Sequence, residues 1–271
     1  MRELIDCHIH TERCGHASGT VAQMISAAVF AGLTGVVVTE HLPLPLELDS
    51  DHHLSMTDGE ISSYAEDVNS MAARVKGLEV ILGAEADWLP GREEFSEGVR
   101  LEARAAGVRV LLGSVHFLED WAFDDPHELA EWENRSVDEV WSAYFAHWCD
   151  AARSGYFDVM AHPDLPKKFG HRPTFDLSEL YDAAARAAAE GGVAIEVSTA
   201  GLRKPVAELY PAHQLLTAFA DRGVPATVGS DAHATSEVGF GIPLAYDAML
   251  AAGYERAALP LGGGEMKWVT L

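Results

Sequence analysis

Cysteine is scarce in this chain. Cys7, Cys14 and Cys149 are the only three in 271 residues, too few for the disulfide framework that staples small secreted domains, and they point to a reducing compartment. Lysine is nearly as rare, with five among the 19 basic residues against 42 acidic ones, for a net charge of −23. That balance leaves no basic stripe for a nucleic-acid backbone to follow. Long apolar runs are missing as well: none reaches the roughly 18 residues that a membrane helix needs. The opening Met1-Arg2-Glu3-Leu4-Ile5-Asp6 enters a strand pattern at once rather than a signal peptide. A cytoplasmic protein with neither nucleic-acid nor membrane partners is expected, and nothing in the composition sets an oligomeric state. The acidity reads as a solvated surface, against which a basic pocket would stand out as an anion site.

What is present is a regular alternation. Short apolar, β-branched runs at 3–7, 35–39, 79–84, 109–114, 158–161, 193–197 and 226–229 are separated by alanine-rich stretches of helical periodicity at 21–31, 61–75, 95–106, 137–154, 177–190 and 205–222. Seven βα units imply a parallel sheet. No Gly-x-Gly-x-x-Gly fingerprint follows the first run, and candidate ligands follow nearly every strand instead of one switch point. A barrel, with its chemistry at the C-terminal ends of the strands, fits better than an open Rossmann sheet. The expectation is one α/β domain over 1–271. The stretches 42–59 and 117–136 read as loops over the site, and the glycine-rich, then apolar tail 261–271 is left without an assigned element.

The strand ends carry the chemistry. Nine candidate metal ligands, His8, His10, His16, His41, Glu85, His116, His162, Asp231 and His233, recur along the chain, nearly all of them at those ends. So many imidazoles and carboxylates at one end of a barrel would repel one another without cations, which predicts two or three metals and therefore hydrolysis. His8 and His10 are two apart on a strand and face the same way. Asp231 and His233 repeat that spacing. The two oxygens of Glu85 suit it to bridge a pair of cations that share an activated water. Asp6 shares the face of His8 one step deeper, either to reach a metal or, the preferred role, to hold a ligating imidazole by its far nitrogen. Asp87 is placed either as a recognition group for a cationic substrate moiety or as a loop cap. Cys14 reads as a buried free thiol. His52 and His53 read as solvated, and His127, His147, His171 and His213 lie on or beside helices without ligand-like spacing. Lys167 and Lys168 leave the site on the loop after His162. Arg203 follows the 193–197 strand, which offers no obvious ligand, so its guanidinium fork is free to face the metals across a phosphate.

These residues resemble the PHP superfamily over essentially the whole chain. Within it, Asp6-Cys7-His8-Ile9-His10-Thr11, Cys14-Gly15-His16-Ala17, Gly113-Ser114-Val115-His116-Phe117, Ala161-His162-Pro163-Asp164-Leu165 with Lys168-Phe169-Gly170, and Gly201-Leu202-Arg203-Lys204-Pro205 with Tyr210-Pro211 are similar to the monofunctional histidinol-phosphate phosphatases. The resemblance implies a distorted seven-stranded, TIM-like β/α barrel. It implies one metal on His8, His10, Glu85 and Asp231, a second on Glu85, His116 and His162, and a third on His16, His41 and His233. The cofactors would be two to three divalent transition metals, zinc, iron or manganese. The small-molecule substrate would be L-histidinol phosphate, cleaved to L-histidinol and phosphate, with another phosphoester (nucleotide, sugar phosphate or phosphotyrosine) as the alternative. Arg203 and Lys167 or Lys168 would stabilise the transferring phosphoryl group, Glu40 would protonate the leaving alkoxide, and Asp87 would attract the substrate's cationic end. A metallo-amidohydrolase is disfavoured because no lysine ends a strand, and a non-catalytic scaffold because no ligand is missing.

Overall fold

The apolar runs become seven parallel strands, seen in a computed structural model that describes residues 2–271. They are β1 (Ile5–Ile9), β2 (Gly35–His41), β3 (Glu79–Asp87), β4 (Val110–Ser114) and, after a small antiparallel hairpin of β5 (Phe117–Leu118) and β6 (Trp121–Ala122), β7 (Val159–Met160), β8 (Ala194–Ser198) and β9 (Ala226–Gly229). They pair in the order β1-β2-β3-β4-β7-β8-β9. Just beyond β9 the chain returns to β1, where the His10 amide donates to the Ala232 carbonyl at 2.9 Å and the Ala232 amide to the His8 carbonyl at 3.3 Å. The result is a nearly closed seven-stranded barrel.

The strands β1, β2 and β3 run two or three residues past the apolar runs that announce them. Ladder hydrogen bonds use the backbone and are indifferent to side-chain polarity, so pairing continues through His41↔Glu85 and Asp87↔Ser114. The consequence is functional: His8, His41 and Glu85 stand on strands, not on mobile loops.

Helices α1 (Val21–Phe30), α2 (Ile61–Ala72), α3 (Glu93–Ala105), α4 (Val137–Arg153), α5 (Ser178–Gly191), α6 (His213–Asp221) and α7 (Ile242–Ala251) cover the barrel. Local chemistry sets their ends. Thr20 and Gln23 cap α1 reciprocally at 3.2 and 2.9 Å, and α5 stops at Gly192 in the left-handed region. The aromatic side chains Trp141, Trp148, Tyr144 and Phe145 of α4 are fully buried, each stabilising the fold by roughly 1.5–3 kcal/mol through area removed from water.

Three sequence expectations change. The periodic stretch 205–222 is helical only over His213–Asp221, because 205–212 is drawn across the barrel mouth: Tyr210 exchanges two backbone hydrogen bonds with Ser198, at 2.7 and 3.0 Å. Residues 242–251, given no element from sequence, form α7. The unassigned tail is the second half of an antiparallel hairpin, β10 (Arg256–Gly262) with β11 (Glu265–Thr270), whose Ala257 and Leu259 are buried. No helix among the described residues is long and apolar enough to cross a membrane.

Candidate metal centre

The nine donors converge at the C-terminal end of the barrel, and Glu85 is their hub. Its side chain rises from β3 and is 1% exposed. Oε2 lies 3.1 Å from His8 Nε2, 3.4 Å from His10 Nε2 and 3.2 Å from His41 Nδ1. Oε1 lies 3.1 Å from His162 Nε2 and 3.9 Å from His116 Nε2, and accepts the Ser114 hydroxyl. The two oxygens therefore look toward two different sets of imidazoles. Asp231 Oδ1 closes the first set from the loop after β9, 3.3 Å from His10 Nε2 and 3.7 Å from His8 Nε2. Beyond it the His10 ring stacks between His41 and His233 at centroid separations of 4.2 and 4.3 Å, and His16 lies 4.7 Å from His233.

The donor chemistry fits metal ions. Four groupings, His8/His10/Glu85, Glu85/His116/His162, His10/His41/His233 and Cys14/His16/His233, each bring ligand atoms within 4.8 Å of one another. Both ring nitrogens of His10 are buried without a hydrogen-bond partner, an expensive arrangement unless a cation accepts a lone pair. Backbone strain gathers here too: His162 and Asp231 have φ of 25° and 51°, conformations that non-glycine residues keep only where the surroundings hold them.

Electrostatics tell the same story. Burial would raise the Glu85 carboxyl, but His8, His41 and His162 outweigh it and hold it well below the usual carboxylate range. Burial likewise opposes the charged forms of His8 and His116, yet Glu85, Glu196 and Asp231 drive His8 well above the ordinary imidazole value, and Asp87 and Asp124 push His116 up to about 10. For His41 and His233, burial and the neighbouring His10 outweigh the pull of Glu85 and Asp231 and hold both well below that value. Divalent cations bound by the same groups would displace the protons of His8 and His116.

The residues behind the donors are largely those that sequence reasoning misplaced. Asp6 does not hold an imidazole: it accepts the Ser230 amide and hydroxyl at 2.8 and 2.6 Å and the Gly239 amide at 2.8 Å, anchoring the loop that carries Asp231. Support for His8 comes instead from Glu196 on β8, a strand expected to offer no metal ligand, whose Oε1 is 2.9 Å from His8 Nδ1. A lone acid inside Ala194-Ile195-Glu196-Val197-Ser198 was the available signal. Glu40 is fully buried behind the imidazoles, taking the amide and hydroxyl of Thr11 and lying 3.5 Å from His10 Nδ1. Strand alternation turns it away from the cavity, which corrects its expected role as leaving-group acid. Asp87 accepts the His116 amide at 3.1 Å, the loop hydrogen bond that was one of its two expected roles, and faces His116 Nδ1 at 3.0 Å. The His53 carbonyl, read as part of a solvated loop, lies 2.9 Å from His16 Nδ1. Cys14 is a buried thiol directed at the Thr11 carbonyl, 3.9 Å from His16 Nε2.

A cavity of about 320 Å³ opens over the donors. Its walls include Leu44, Leu54 and Leu165, and Lys168, Lys204, Asp124 and Asp125 bring charge to it. Lys168 Nζ is held by Asp124 Oδ2 at 2.9 Å. Lys167 is not available to a ligand: it is fully buried, 2.9 Å from Asp164 and donating to the Leu209 carbonyl at 2.7 Å. Arg203 also departs from expectation. Its guanidinium lies behind the β9 loop, donating to the carbonyls of Ser230 and Asp231 at 2.9 and 3.1 Å and pairing with Glu237 at 3.2 Å. Both carbonyl bonds come from Nη2, whereas Nη1 is buried without a hydrogen-bond partner, and it is the next residue, Lys204, that lines the cavity.

Comparison with known proteins agrees with this architecture. The PHP domain matches residues 6–200. The chain is 42% identical over 241 residues to a probable histidinol-phosphatase of Deinococcus radiodurans, covering 89% of this chain and 90% of that one. It is 28% identical to the histidinol-phosphatase of Bacillus subtilis, covering 90% and 97%. The crystal structure of histidinol phosphate phosphatase from Lactococcus lactis, complexed with zinc, L-histidinol and phosphate, superimposes with a TM-score of 0.80 at 20% identity, covering 98% of this chain and 99% of that one. With a shared barrel, a domain match over most of its length and a relative at 42% identity, this chain belongs to the PHP domain family, among its histidinol-phosphatase members.

Proposed function

We propose that this chain is a metal-dependent phosphomonoesterase that hydrolyses L-histidinol phosphate to L-histidinol and phosphate, a step of histidine biosynthesis. The observation that carries the chemistry is Glu85, one carboxylate whose oxygens face two separate sets of imidazoles at the floor of a cavity. The substrate is the one named for its histidinol-phosphatase relatives. His8, His10, Glu85 and Asp231 would hold one metal, Glu85, His116 and His162 a second, and His16, His41 and His233 a third. Bound there, zinc, iron or manganese would supply positive charge to the phosphate oxygens and a water of lowered pKa.

The chain's own residues do the rest. The Lys168 ammonium, fixed by Asp124, presents charge to the equatorial phosphate oxygens, where stabilisation counts most in the transition state. Asp87 fixes the ring plane of His116. Leu44, Leu54 and Leu165 exclude water around the leaving group, while Asp125 at the same wall offers negative charge to the substrate's ammonium or imidazolium. Residues 1–271 act as one domain in this reading, with a cytoplasmic location and a small molecule as the partner.

The direct test is phosphate release by metal-replete protein. Its kcat/KM for L-histidinol phosphate should exceed that for p-nitrophenyl phosphate and for nucleotide monophosphates, and a clear preference for a nucleotide, sugar phosphate or phosphotyrosine would replace the substrate assignment.

Lys168 and Arg203 separate two kinds of contribution. Lys168→Met should lower kcat/KM by about 30- to 1,000-fold, equivalent to roughly 2–4 kcal/mol of transition-state stabilisation, with metal content unchanged. Arg203→Ala should act through the Asp231 loop, so metal is retained less well and excess metal recovers part of the turnover. Normal kinetics for the Lys168 variant would remove it from phosphate binding and leave Lys204 as the cavity's cation.

A further inference from the structure

None of the nine donors comes from β8, yet β8 places a charged group in the centre. Glu196 is 1% exposed, and its two oxygens have separate tasks. Oε1 lies 2.9 Å from His8 Nδ1, while Oε2 accepts the backbone N–H of His162 at 2.8 Å. His8 turns its other nitrogen to Glu85 Oε2, and His162 reaches Glu85 Oε1, each at 3.1 Å. The two residues held by Glu196 thus serve different groupings, His8 with His10 and Glu85, His162 with Glu85 and His116. The amide that Glu196 restrains belongs to the residue strained at φ 25°. Room for the carboxylate is made on β9, where a Cβ on Gly229 would sit 2.0 Å from Glu196 Oε1 and 2.6 Å from His8 Cβ.

We propose that Glu196 is a positioning residue that ties the two metal groupings together from behind, so that one buried carboxylate sets both the His8 ring and the His162 backbone. This rests on the metal reading given above. A carboxylate on the far ring nitrogen fixes tautomer and ring plane: with Nδ1–H donated to Glu196, the Nε2 lone pair of His8 is free for a cation. The same group restrains the backbone at His162, so slack in one grouping is felt in the other. Glutamine cannot substitute, because its single oxygen can accept from His8 or from His162 but not from both, and its NH₂ then faces the remaining donor.

The test is zinc binding by the full chain in competition with a chelator, read by elemental analysis, for wild type, Glu196→Gln, Glu196→Asp and Gly229→Ala. Glu196→Gln should bind zinc about 10- to 100-fold more weakly at both groupings, and excess zinc should restore most of its turnover, which a general folding defect would not allow. Glu196→Asp keeps two acceptor oxygens and should lie between. Gly229→Ala would crowd both the Glu196 carboxylate and His8 Cβ and serves as a control for the tightness of this pocket, so Glu196→Asp carries the test if the glutamine variant does not fold. A glutamine-variant curve that superimposes on wild type overturns the proposal, as does a loss confined to one equivalent with the other held at wild-type affinity. Wild-type protein that takes up no zinc would instead overturn the metal reading itself.

Discussion

Replacing Glu85 by glutamine should reduce kcat/KM by at least about a thousandfold, or roughly 4 kcal/mol of transition-state stabilisation. Shape is nearly conserved, but the charge is not. The Oε2 side of Glu85 faces His8, His10 and His41 at 3.1–3.4 Å, and the Oε1 side faces His162 at 3.1 Å. An amide offers one neutral oxygen to one side and an NH₂ to the other, so one group loses its ligand and both lose the anion that balances their cations. Two readouts are needed. Metal per chain should fall together with turnover, and the Ser114 hydroxyl that now donates to Glu85 Oε1 should keep the side chain in place, leaving the fold intact. A variant with full metal and most of its activity would remove Glu85 from the centre.

Stripping the metals should abolish turnover and also soften the protein. Without cations, compactness at the barrel mouth depends on imidazolium–carboxylate pairs such as His8 with Glu85 and Glu196, and His116 with Asp87. Metal bound only by the folded state at about a hundred times its Kd contributes close to 3 kcal/mol, which for a chain of this size corresponds to roughly 6–12 °C in Tm. Chelator-treated protein should therefore melt lower by about that amount, and added zinc or manganese should restore both Tm and phosphate release. Metal affinity should fall as the pH is lowered, because an imidazole must give up its proton to ligate. Unchanged melting and turnover after verified metal removal would refute a metal-based centre.

Much of this was legible in the chain because it follows from local periodicity. Strand alternation puts His8 and His10 on one face whatever surrounds them, and seven apolar runs separated by helical stretches leave few topologies besides a parallel barrel. Residues at the ends of such strands must meet at one mouth, so the nine donors could be gathered on paper before any distance was known. What the tertiary structure decided was the direction of side chains whose partners are remote in sequence. Lys167 and Lys168 are neighbours, yet one is buried against Asp164 and the other faces the cavity beside Asp124. Arg203 turns to carbonyls 27 and 28 residues away and leaves the cavity to Lys204. Glu40 and Glu196 both lie inside apolar strands, and only the pairing of β1 with β2, and of β8 with a β9 that closes onto β1, shows that they stand behind His10 and His8. Spacing along a strand determines which face a residue occupies. Which donor, acceptor or cation it meets across the barrel depends on register and on small openings such as Gly229, and those exist only once the sheet has closed.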